Sequence, residues 1–128
     1  MRANISDELL NAIDEKIFID LEINALNSKL HKAEKEGNKG FAEHLNQIIL
    51  KVINDRKNIN EYLKKQGVKV FEPEHFYDRE GEDPIFVDYR YYQRINGGYK
   101  EGVQRYWISG IKYKLKTRLN KHFAQVRK

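Results

Sequence analysis

The chain has 128 residues, with 24 Lys and Arg against 19 Asp and Glu, a net charge of +5, no cysteine and a mean hydropathy of -0.81. That length suits one domain with a modest core, and no apolar run approaches the roughly 18 residues a membrane span requires. The missing cysteines exclude a disulfide framework, a thiolate metal cage and a cysteine nucleophile, and a cytoplasmic protein is the simplest reading.

Met1 to Leu10 show no basic leader ahead of an apolar stretch, so no secretory signal is expected. Ser6-Asp7-Glu8 instead places a capping hydroxyl and two carboxylates where a helix N-terminus is positively polarised. From there Ile5, Leu9, Ala12, Ile19, Ile23, Leu26, Leu30 and Ala33 recur at spacings of three and four, with Lys16 the one misfit. This stripe predicts an amphipathic helix of about 30 residues. Leu10, Ile13, Ile17 and Leu21 add a second apolar flank to its first half, which should therefore be covered on two sides. The stretch Glu36 to Gly40 stops the helix with two glycines.

A second helix follows from Phe41, Leu45, Ile48, Val52, Ile59 and Tyr62, with Ile49, Ile53 and Leu63 alongside, and ends at Gly67. Two long helices joined by so short a turn pack as an antiparallel hairpin. Such a hairpin leaves apolar surface for another element, so either the C-terminal third or a second copy of the chain must cover it. Self-association through the hairpin, as a homodimer, is the expectation.

After Gly67 the texture changes. Val68 to Phe71 reads as a short strand, and the polar stretch 72–84, flanked by Pro73 and Pro84, as an acidic connecting loop. Residues 85–95 alternate, with Val87, Tyr89, Tyr91 and Ile95 on one face and Asp88, Arg90, Tyr92 and Arg94 on the other, which predicts a strand. Asn96-Gly97 is the signature of a two-residue type I′ hairpin loop. That loop sets Asp88 opposite Arg105, Tyr92 opposite Glu101 and Arg94 opposite Tyr99. A helix starting near Tyr99 competes, because Val103, Trp107, Ile111, Leu115, Leu119 and Phe123 fall four apart; Gly102 and Gly110 argue instead for strand to about Ile108 and helix from Ser109 to about Val126. The fold class is thus α+β in one domain: a helical hairpin over 1–67, an acidic connection over 68–84, and a basic, aromatic β-hairpin plus amphipathic helix over 85–128.

Charge is divided along this plan. Residues 1–83 hold 13 basic against 17 acidic side chains, whereas 84–128 hold 11 against 2. No GxGxxG, P-loop, nucleophile elbow, HExxH or EF-hand spacing occurs, the four histidines are scattered, and the acidic loop fits no metal pattern, so no enzyme, cofactor or metal is predicted. The basic third remains. On the last helix Lys114, Arg118 and Lys121 lie on one flank of the apolar arc, and Lys112 and Lys116 on the other. Arg90, Arg94, Lys100 and Arg105 are interleaved with tyrosines in the hairpin, Tyr92 among them. Phosphates favour clustered Lys and Arg, and bases stack on aromatic rings. These ten residues are the candidate nucleic-acid contacts, for DNA or RNA. Basic flanks also occur on helices that merely pack, so a regulator or inhibitor acting on a protein partner is the alternative. Small size, residues with AT-rich codons and missing catalytic motifs fit an accessory protein of a phage or other mobile element.

Overall fold

The computed structural model describes residues 5–77, 79, 81 and 83–126, the last two by backbone alone. Asp78, Glu80 and Glu82 of the acidic loop, and Arg127 and Lys128, lie outside the described residues.

Helix α1 runs from Asp7 to Lys35, with the Ser6 side chain accepting from the Leu9 amide at 3.2 Å. Helix α2 spans Lys39–Lys65, and the Asn38 side chain caps it from the Phe41 amide. Three strands follow, β1 (Val68–Val70), β2 (Glu74–Phe76) and β3 (Phe86–Ile95), then β4 (Gly98–Trp107) and helix α3 (Ile108–Val126). The α+β architecture is as the sequence implies.

β3 is the spine of one antiparallel sheet. β4 pairs along its whole length, in the register that sets Asp88 opposite Arg105 and Tyr92 opposite Glu101. Along the other edge lie β1, opposite Tyr91 to Gln93, and β2, opposite Phe86 to Asp88. The connection over 68–84 is therefore partly strand. Glu74-His75-Phe76 carries no alternation long enough to read, and pairing with β3 supplies what its own sequence lacks. The hairpin turn also differs from expectation: Gly97 has φ +84° while, among the described residues, only glycines have positive φ, so Asn96 is outside the left-handed region. A type II turn, with glycine in its second central position, fits that pattern where type I′ does not.

The sheet lies over the first half of α1. Leu9, Ile13 and Ile17 pack with Leu63 of α2 and Tyr91 of β3, while Phe18, Val87 and Ile111 form an adjoining cluster. Further along α1, Ile19, Ile23, Leu26 and Ala33 meet Leu45, Ile48 and Val52 of α2 and Leu119 of α3. The C-terminal third thus covers the hairpin, and the stripe on α1 needs no second copy for its burial. Odd-numbered residues of β3 face the helices as the alternation requires, but Ile95 lies beyond them and is 40% exposed. Asp88, placed on the outer face, is only 7% exposed because Arg105 lies across it.

Candidate nucleic-acid interface

The ten candidate residues fall into separate places, and on the α1 side of α3 charge pairing holds them there. The α1 surface facing α3 carries Asp14, Glu15 and Glu22. Lys114 Nζ lies 2.7 Å from Asp14, and Arg118 donates to both Glu15 oxygens at 3.0 and 2.7 Å. Arg118 Nε also donates to Glu22, whose second oxygen lies 3.0 Å from His122 Nε2. Glu22 is 2% exposed, so its charge is desolvated and depends on those partners. Hydrogen bonds from Arg118 hold the Glu15 carboxyl below its ordinary value. Tyr106 Oη donates to Asp14 at 2.5 Å, and burial, followed by that bond, pushes its phenol well above the usual range. Lys114 and Arg118 therefore fasten the basic helix to the acidic one.

Elsewhere on α3, Lys112 and Lys116 border a groove of about 400 Å³ with Lys29 of α1, over a floor of Leu115, Leu119 and Phe123. Lys121 lines a smaller hollow beside Lys51, Asp55 and Arg118. Lys100 sits on the helix-facing side of β4, half-buried.

That outer face gathers the remaining candidates. At one end Arg105 donates to both Asp88 oxygens at 2.7 and 2.8 Å and lies 4.1 Å over the Phe86 ring, holding the Asp88 carboxyl below its ordinary value. Phe76 stacks on Phe86 beside it, and Trp107 meets Phe86 edge to face. Arg90 reaches Glu74 at 3.7 Å. At the other end the rings of Phe71, Tyr92 and Tyr99 meet edge to face, at 5.6 and 5.0 Å between centroids.

Beside this second cluster lies the most basic concavity described, a depression of about 540 Å³ at the corner of β1 and β3. Lys16, Lys64, Lys69 and Arg94 line it together with Tyr92, and no carboxylate does. Lys16 is paired with Asp20 one turn along α1, whereas Lys69 Nζ stands 5.2 Å over Phe71. Gly67 makes the corner possible. It has φ +73°, its carbonyl accepts the Arg94 amide at 2.8 Å, and a Cβ there would meet the Arg94 carbonyl at 3.1 Å. Close approach of the end of α2 to β3 brings Lys64 beside Arg94. The structure thus joins Tyr92 and Arg94 to Lys64, Lys69 and Phe71, which charge sums over long segments overlook.

Among the described residues no group of three or more His, Asp or Glu side chains is arranged to hold a metal ion, and no helix is long and apolar enough to cross a membrane. Fold and surface define a small α+β protein with three helices beneath a four-stranded antiparallel sheet whose outer face is open. A family model described as YhjD protein matches residues 4–127, and the chain belongs to that family. No curated protein and no solved structure matches it.

Proposed function

We propose that this protein is a non-catalytic binding protein that takes single-stranded nucleic acid at the β1–β3 corner. The meeting of cations and rings carries the reading: Lys64, Lys69 and Arg94 line one depression free of carboxylates, and half-buried Tyr92 continues from it to the exposed rings of Phe71 and Tyr99. Phosphates are held by the cations, and bases that are not already paired offer their faces to the rings. A duplex hides those faces, so single strands are preferred.

A protein partner is the second reading, favoured by the other end of the sheet. There Trp107 is 62% exposed, and Arg105 and Arg90 are matched by Asp88 and Glu74, the compensated charge and exposed aromatics of protein interfaces.

Fluorescence anisotropy at low ionic strength, with a labelled single strand and the duplex of the same sequence, separates the two. Tyr92→Ala should weaken single-strand binding about 5- to 150-fold, the effect of losing one base stack at roughly 1–3 kcal/mol, and leave duplex binding nearly unchanged. Circular dichroism checks that the fold is kept. If neither DNA nor RNA is retained by the wild-type chain, the nucleic-acid reading fails and the protein partner replaces it.

A further inference from the structure

β4 has a free edge. In an antiparallel pair, alternate residues direct both backbone groups toward the same neighbour. The Arg94 amide donates to Gly67 and the Arg90 carbonyl accepts from Phe71, so even-numbered residues of β3 face away from β4 and odd-numbered ones face it. Across the ladder, the odd-numbered residues of β4 must point outward. The amides of Tyr99, Glu101, Val103, Arg105 and Trp107 and the carbonyls of the first four accordingly have no strand partner among the described residues, while the Trp107 carbonyl opens helix α3. Protein sheets guard such edges with short strands, bulges, prolines or outward lysines. β4 has ten residues in unbroken register and no proline, and its one lysine, Lys100, is on the helix-facing side.

From this edge we infer that two copies of the chain pair through β4, antiparallel and centred on Val103, to make one continuous sheet. The self-complementarity of the five outward residues carries it. Centring on Val103 sets Glu101 opposite Arg105 of the second copy and Tyr99 opposite Trp107 of the second copy, with the two Val103 side chains facing each other. Each pairing occurs twice by symmetry. Among the described residues Glu101 makes no ion pair. Arg105 commits Nε and Nη2 to Asp88, and its other terminal nitrogen remains for the incoming carboxylate. Tyr99 and Val103 are 58% and 48% exposed, and each gains a cross-strand apolar partner. Opposite charges and aromatic pairs falling together in a two-fold register is the pattern an isologous strand interface requires. A shift of two residues would lose the Glu101–Arg105 and Tyr99–Trp107 pairings together.

The inference does not rest on the nucleic-acid reading: the cations of that site line the β1 edge, opposite β4, and only the Tyr99 ring belongs to both surfaces. The two-fold axis is normal to the sheet, so both outer faces point the same way and the basic corners flank the assembly.

Sedimentation equilibrium of the full chain across the micromolar range should give a dimer. Val103→Pro removes an outward amide without touching the β3–β4 ladder, and Glu101→Arg puts two arginines opposite each other. Each should weaken dimerisation at least about tenfold, roughly 1.4 kcal/mol, while circular dichroism stays that of the wild type. The chain has no cysteine, so single cysteines report the register. Val103→Cys should cross-link to its own copy under mild oxidation. Glu101→Cys should not, because the two copies of residue 101 stand about 13 Å apart in this register, beyond disulfide reach. A monomeric wild type, a dimer that survives both Val103→Pro and Glu101→Arg, or equal cross-linking from positions 101 and 103 would each overturn the inference.

Discussion

Replacing Arg118 by Ala lowers the unfolding free energy by about 3–5 kcal/mol, the cost of leaving a buried carboxylate without its cation. Glu22 is 2% exposed, and of its two partners Arg118 is the permanent charge. The same guanidinium also holds both Glu15 oxygens and rests 5.7 Å over the Phe18 ring, so truncation removes packing as well. The double variant Glu22→Leu, Arg118→Met should recover most of the loss, because an apolar pair of similar volume carries no desolvated charge. Urea unfolding followed by circular dichroism measures both. A loss below about 1 kcal/mol for Arg118→Ala would mean that water reaches Glu22 and that the helix is fastened by other contacts.

The second large effect is at Gly102. Tyr91, opposite it in the ladder, folds its ring across the glycine, and a Cβ added there would lie 2.4 Å from the Tyr91 hydroxyl and 2.5 Å from Cζ. Tyr91 belongs to the cluster with Leu9, Ile13 and Ile17, so its ring moves only by disturbing that core. Gly102→Ala is expected to cost about 1–3 kcal/mol, as overpacking does. In a Tyr91→Ala background the same change should be neutral or slightly stabilising, since alanine restricts the unfolded chain more than glycine does. A double-mutant cycle reads this coupling, and additive losses would show that the ring lies elsewhere.

Both helices of the hairpin, the register of β3 with β4 and the start of α3 were legible because each rests on local signals: spacing of apolar residues, caps, and a glycine turn. β2 was not, because three residues beside Pro73 gain strand structure only by pairing with β3. The basic corner was hidden for another reason. Lys64 and Lys69 belong to the segment 1–83, whose charges sum to a negative value, and only the approach of Gly67 to Arg94 concentrates them. The converse holds for α3. Lys114 and Arg118 dominate the basic third in sequence, yet they meet Asp14, Glu15 and Glu22, residues about 100 positions earlier. Net charge along a chain locates cations but not their counterions.

The dependence of single-strand affinity on salt tests the account most directly, with two triple variants compared against the wild type. Each phosphate held on a single strand contributes about -0.7 to the slope of log affinity against log salt concentration. Lys64→Gln, Lys69→Gln and Arg94→Gln together should make that slope shallower by about 2. The helix variant, Lys112→Gln with Lys116→Gln and Lys121→Gln, should leave it almost unchanged. A slope that flattens in the helix variant and persists in the corner variant would place the contact on α3 and contradict the account.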